Sequence, residues 1–93
     1  MWPFSRSKHN GRELVASGAL LLDVRTADEF RERHLEGAYN IPVQELSSRV
    51  GELGRNDRPI VVYCRSGARS ASAAALLKGA GYEVLDIGGI GNW

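Results

Sequence analysis

A chain of 93 residues, 43% hydrophobic and 25% charged, is sized and composed for one small globular domain with a single core. Its formal net charge of +1 gives no basis for binding nucleic acid or an acidic membrane surface, and no apolar stretch reaches the length of a membrane span. One cysteine excludes an internal disulfide and a multi-thiolate metal site, and it leaves no second thiol in the chain to resolve chemistry at the first.

Residues 1–9 read as a lead-in, in which Trp2 and Phe4 form either an edge strand or a loose arm. The opening Met1–Lys8 is too polar for the core of a signal peptide, so with its lone thiol the protein is expected in a reducing, cytoplasmic compartment. Asn10 is placed to cap a short helix over Gly11–Ser17, with Gly18 as its stop. Ala19–Val24 is an apolar run broken only by Asp23, the pattern of a strand covered on both faces. Thr26-x-x-Glu29 forms a capping box for a helix over about Ala27 to Arg33. Gly37 breaks the chain before a brief extended piece at Ala38–Ile41.

Pro42 suits the first position of a further helix, on which Leu46, Val50 and Leu53 make one apolar stripe and Gly54 is the stop. Arg55–Pro59 is rich in turn formers, and Ile60–Tyr63 is a second buried strand. An alanine-rich helix is predicted from about Ala68 to Lys78, ended by Gly79 and Gly81. Tyr82–Ile87 returns as a strand, and Gly88–Gly89 is expected as a tight loop beside the turn that follows Tyr63. Alternating strands and helices predict an α/β fold with a parallel sheet. Ligands of such sheets sit beyond the carboxyl ends of the strands, where Asp23, Arg25 and Cys64 all fall.

Cys64 therefore lies where a buried strand becomes a helix. Unpaired amides and the helix dipole at such a junction favour a bound anion and a thiolate. Arg65 and Arg69 add permanent positive charge, which is unfavourable at a helix start unless an anion lies between them and the amides. Gly67 lets the backbone curl. Ser66 and Ser70 are placed to cap the helix or to bond a ligand, with Ser70 favoured as the cap. A buried structural cysteine is the competing reading, but it has no need of the arginines and the glycine.

Cys64-Arg-Ser-Gly-Ala-Arg69-Ser70 resembles the active-site loop of rhodanese-type sulfurtransferases. The block Leu22-Asp23-Val24-Arg25-x-x-x-Glu29-Phe30-x-x-x-His34-Leu35-x-Gly37-Ala38-x-Asn40-Ile41-Pro42 resembles the family's upstream signature, and Gly88-Gly89-Ile90-x-x-Trp93 its closing one. Together they cover most of the chain from Asn10 onward, in the family's order. The resemblance implies a rhodanese-like three-layer fold over residues 10–93, with a central mainly parallel sheet flanked by helices.

It also implies that Cys64 takes the outer sulfur of a small anionic donor such as thiosulfate. The resulting persulfide is passed to a thiol, cyanide or a protein acceptor, in two-step covalent catalysis without a metal or cofactor. The backbone amides of Arg65, Ser66, Gly67, Ala68 and Arg69 would ring the persulfide, with the Arg69 side chain closing the loop and Arg65 steering donors. Asp23, Arg25 and Ser70 would support the site, with Asp23 bonding loop amides, Arg25 paired with Glu29, and His34 bonding a carbonyl at its helix end.

Two alternatives differ in class. Cell-cycle dual-specificity phosphatases share this fold, but their cysteine-to-arginine loop is one residue longer than the Arg65–Ala68 span. A persulfide carrier would need the same loop and would differ in turnover.

Overall fold

The structure, a computed structural model, describes residues 10–54 and 57–93. The lead-in with Trp2 and Phe4, and Arg55 and Asn56 of the turn, lie outside the described residues.

Successive side chains of a strand point to opposite faces, and the sheet divides its apolar residues accordingly. Strands β1 (Leu20–Asp23), β2 (Tyr39–Asn40), β3 (Ile60–Cys64) and β4 (Val84–Gly89) form one four-stranded sheet in the order β2-β1-β3-β4, with every pairing parallel. On one face Leu22, Ile60, Val62 and Cys64 pack with Leu46, Leu53, Ala73, Ala74 and Leu77. On the other, Leu21, Val61 and Tyr63 pack with Leu14, and partly buried Ile87, Ile90 and Trp93 complete the layer. This is the expected three-layer arrangement. All five residues of β3 are buried, as its unbroken apolar run requires.

Both predicted helix starts are present. Asn10 and Glu13 cap α1 (Gly11–Ala16) reciprocally, and Thr26 and Glu29 do the same for α2 (Ala27–Glu32). Helix α4 runs Ala68–Gly79, and its buried Ala73, Ala74 and Leu77 face the sheet. Its small alanines permit close approach to β3.

Three elements depart from expectation. The single helix from Pro42 to Leu53 is broken into a 3-10 turn at Val43–Glu45, a four-residue α3 (Leu46–Arg49) and a 3-10 turn at Val50–Leu53. Pro42 precedes the first turn in an extended conformation instead of opening a helix. Leu46 and Leu53 are still buried, so the apolar spacing sets which side chains enter the core without holding one continuous helix.

The last strand begins later than Tyr82–Ile87, at Val84, and takes in Gly88 and Gly89. These glycines are thus strand residues and not a separate loop. The cause is a bulge: Val62 pairs with Asp86 but Tyr63 pairs with Gly88, which leaves Ile87 as the extra residue. Asp86 Oδ1 accepts the Gly88 amide at 2.8 Å inside the bulge. The shift brings Gly89 opposite Cys64. A Cβ at Gly89 would lie 2.7 Å from the Arg65 carbonyl oxygen, so only glycine allows the last strand to run this close under the loop.

Candidate active site

The carboxyl ends of β1 and β3 are adjacent, because Asp23 pairs with Tyr63 across the ladder. Cys64 is the last residue of β3 and is 1% exposed. Gly67 then takes a left-handed conformation at φ 116° and caps α4 without a side-chain bond. That turn folds the Gly67 amide back onto Cys64 Sγ at 2.9 Å. Ser70 Oγ lies 3.5 Å from the same sulfur and donates to the Gly67 carbonyl at 3.1 Å.

Ser70 is therefore not the helix cap. It sits three residues into the cap region, fully buried, with its hydroxyl beside the sulfur. Burial pushes the Cys64 thiol up, but the Ser70 hydroxyl and the amides of Ser70, Gly67 and Ser66 outweigh it and hold the thiol below its ordinary value. Of the expected Arg65–Arg69 amides, the Gly67 amide makes a direct hydrogen bond to the sulfur. Ser66 and Ala68 are exposed.

The two arginines of the loop part company. Arg69 Nη1 donates to Glu29 Oε1 at 2.7 Å and Arg69 Nη2 to Oε2 at 3.1 Å. The same Glu29 Oε1 accepts the Thr26 amide at 2.9 Å, so one carboxylate caps α2 and clamps the loop. Arg69's hydrogen bonds first, and the Thr26 amide second, bring the Glu29 carboxyl down to about 2. Arg69 is therefore committed to a fork-to-fork ion pair and does not close the loop as a free cation. Arg65 is exposed and its guanidinium has no partner among the described residues.

The expected Arg25–Glu29 pair is absent, because each has a better-placed partner. Asp23 Oδ1 accepts the Arg25 amide at 2.8 Å, a tight turn that folds the Arg25 side chain back onto the same carboxylate. Arg25 Nη2 then reaches Asp23 Oδ2 at 2.7 Å and the Arg33 carbonyl at 2.6 Å. The Tyr63 hydroxyl donates to Asp23 Oδ2 at 2.6 Å and accepts the Leu35 amide at 3.1 Å. Burial, and then its bond to Asp23, push the Tyr63 phenol well above its usual range, so it stays neutral and keeps its proton for Asp23. Asn40 Nδ2 ties in the Asp23 and Arg25 carbonyls at 3.0 Å each.

The Asp23–Arg25 pair is thus buried and fully bonded, as a buried pair must be to persist. It frames the floor of the site beside Cys64. His34 Nδ1 lies 2.7 Å from the Phe30 carbonyl oxygen and, as expected, serves its helix end. Sequence reasoning missed Tyr63 and the Glu29–Arg69 clamp. The signal for Tyr63 was its place in an otherwise aliphatic strand, where a buried hydroxyl demands a partner.

Beyond the loop lies a cavity of about 280 Å³ lined by Arg25, Glu29, Glu32, Arg33, Arg65 and Ile90. Among the described residues no group of three or more His, Cys, Asp or Glu side chains is placed to hold a metal ion, and no helix is long and apolar enough to cross a membrane.

The structure is thus a parallel α/β domain that ends a buried strand on its cysteine and turns the Gly67 amide onto the sulfur. The chain belongs to the rhodanese-like domain family, whose sequence profile matches residues 7–93. It is 42% identical over 76 residues to a protein named Sulfurtransferase from Allochromatium vinosum, a match covering 80% of this chain and 70% of that protein. It is 40% identical over 77 residues to Uncharacterized protein YqhL of Bacillus subtilis, covering 81% of this chain and 60% of that one. The chain therefore spans less than two thirds of the Bacillus subtilis relative. A solved rhodanese with anions from E. coli matches the fold with a TM-score of 0.76 at 29% identity, covering 82% of this chain and 92% of that chain.

Proposed function

We propose that residues 10–93 form a sulfurtransferase domain in which Cys64 carries sulfane sulfur as a persulfide. The observation that carries this reading is the direction of the Gly67 amide, 2.9 Å from Cys64 Sγ, in a site where the thiol is held below its ordinary value. In the first step the Cys64 thiolate attacks the outer sulfur of a donor such as thiosulfate. The donor's sulfur–sulfur bond breaks, sulfite leaves, and a new sulfur–sulfur bond remains on Cys64. The added sulfur carries the negative charge. The Gly67 amide, 2.9 Å from Cys64 Sγ, supports a negatively charged sulfur at this strand end without moving.

In the second step an acceptor nucleophile, a thiol or cyanide, attacks the outer sulfur and Cys64 leaves as thiolate. Asp23, Arg25 and Ser70 support the site by fixing the sheet edge and the sulfur's surroundings. The single free thiol suits a reducing compartment such as the cytoplasm. The cysteine-phosphatase alternative loses ground, because the arginine that would grip phosphoryl oxygens is occupied by Glu29.

The test is intact-protein mass spectrometry after incubation with thiosulfate. A mass increase of one sulfur on the wild type, absent from Cys64→Ser, is expected. An unmodified wild type that instead turns over an aryl phosphate would overturn the reading. Repeated turnover with cyanide or a small thiol identifies an enzyme. A single loading discharged only to a protein partner identifies a carrier.

A further inference from the structure

The bulge in β4 lies alongside the start of the active-site loop, since Gly88 pairs with Tyr63 and Gly89 with Cys64. Its extra residue, Ile87, falls out of the ladder, and backbone groups left unbonded there are costly to hold. Two side chains meet that need. Asp86 Oδ1 accepts the Gly88 amide at 2.8 Å, and Asn92 Nδ2 donates to the Ile87 carbonyl at 2.8 Å. Both residues are exposed, and neither has a part in bond making.

What the bulge carries is the loop. A Cβ at Gly89 would lie 2.7 Å from the Arg65 carbonyl oxygen, and one at Gly67 would lie 3.8 Å from Gly88 Cα. The Gly88 carbonyl oxygen is 3.5 Å from Ser70 Oγ, which is itself 3.5 Å from Cys64 Sγ. The turn that sends the Gly67 amide to the sulfur, and the hydroxyl beside it, both rest on residues whose place the bulge fixes.

We infer that Asp86 and Asn92 are positioning residues for Cys64: together they lock the β4 bulge, and the locked bulge seats the loop whose Gly67 amide bonds the sulfur. A loosened bulge lets Gly88 and Gly89 shift, the loop settles differently, and the 2.9 Å contact from Gly67 to Sγ lengthens. The thiolate then loses support and the thiol rises. The other charges that act around the sulfur are Arg69 of α4, paired with Glu29 of α2, and Arg25, paired with Asp23. Substitutions at Asp86 and Asn92 leave all four in place. The consequence for sulfur transfer rests on the sulfurtransferase reading, whereas the effect on the thiol does not.

The test is the pH profile of iodoacetamide alkylation at Cys64, the only cysteine. By its field alone, removing the Asp86 charge would lower the midpoint or leave it. Loss of the lock raises it, so the two effects have opposite signs. Asp86→Ala should move the midpoint up by about half a pH unit or more, and Asn92→Ala, which changes no charge, should do the same. Asp86→Asn keeps an oxygen for the Gly88 amide and should return the midpoint to the wild-type value or below it. Lower stability alone moves none of these midpoints, and should Asp86→Ala fail to fold, Asn92→Ala reads the same lock. A folded alanine variant whose midpoint is not raised, or an Asp86→Asn midpoint as high as that of Asp86→Ala, would overturn the inference.

Sulfur loading from thiosulfate, followed by intact mass at a pH below the midpoints, should slow about twofold in Asp86→Ala, because the smaller thiolate fraction outweighs its greater nucleophilicity. Shifted midpoints in a protein that never takes up sulfur would uphold the lock and sink the sulfurtransferase reading.

Discussion

The Glu29–Arg69 clamp makes the most discriminating prediction, because two roles for Arg69 give opposite results on the same variant. If Arg69 grips the donor, Glu29→Gln frees it and donor use improves. If Arg69 acts by tying α2 to the active-site loop, Glu29→Gln and Arg69→Ala impair the protein alike and the double variant adds little. The structure supports the second role. The drop of the Glu29 carboxyl from 4.5 to about 2 corresponds to about 3 kcal/mol, an upper bound shared between Arg69 and the Thr26 amide. The side chains are 32% and 25% exposed, so solvent screening reduces the pair to about 1–2 kcal/mol.

A group whose carboxyl is lower in the folded state stabilises fully above its ordinary value and loses that stabilisation as pH falls through the folded one. The gap between wild type and Arg69→Ala in urea unfolding should therefore be widest near neutral pH. It should shrink from about pH 4.5 down toward about pH 2. Thiosulfate kinetics on the two single variants and the double variant complete the cycle. A gain in donor use by Glu29→Gln, or a stability gap that persists undiminished near pH 2, would refute the clamp.

Further predictions concern the groups around the sulfur and their supports. Ser70→Ala removes the hydroxyl that opposes burial at Cys64, so the thiol should rise and the midpoint of an alkylation-rate profile should move to higher pH; an unmoved midpoint counts against that role. Gly89→Ala places a methyl 2.7 Å from the Arg65 carbonyl oxygen, and shifting the loop should cost about 1–3 kcal/mol in urea unfolding and slow alkylation of Cys64; wild-type behaviour on both would show that the close approach is unimportant. Tyr63→Phe leaves Asp23 one donor short and the Leu35 amide unpaired, at a cost of about 1–3 kcal/mol, read as a lowered urea midpoint; an unchanged midpoint would mean that the hydroxyl is replaceable.

What could be read from the chain alone is what depends on neighbours in sequence. The Thr26–Glu29 capping box joins residues three apart, so its residue types suffice to announce it; at Asn10 only the cap was read, and the return bond from Glu13 appears in the structure. The buried strands announce themselves by unbroken apolar runs, and the sulfur-facing turn by a cysteine, a glycine and a helix former within a few positions. The ion pairs were read wrongly for the converse reason. Helical spacing made Arg25 and Glu29 natural partners, but the partner of Glu29 lies 40 residues away. Arg25 is captured by a carboxylate only two residues back, through a turn that the spacing of charges does not encode. The bulge in β4 was hidden too. Nothing in Asp86-Ile-Gly-Gly89 requires an extra residue until Gly89 must pass beneath the Arg65 carbonyl.

That division changes which charges can serve the reaction. Sequence proximity makes both loop arginines look equally available to an anion, and chain topology decides between them. Helix α2 enters the sheet edge with Glu29 facing the loop, and the carboxylate takes the arginine that α4 holds in place. Arg65, just beyond the strand end, stays exposed and lines the cavity with Arg33 from the end of α2. In the proposed reaction, negative charge on the sulfur then rests on the Gly67 amide, which the fold holds 2.9 Å from Cys64 Sγ, while Arg69 contributes at a distance from its bond with Glu29.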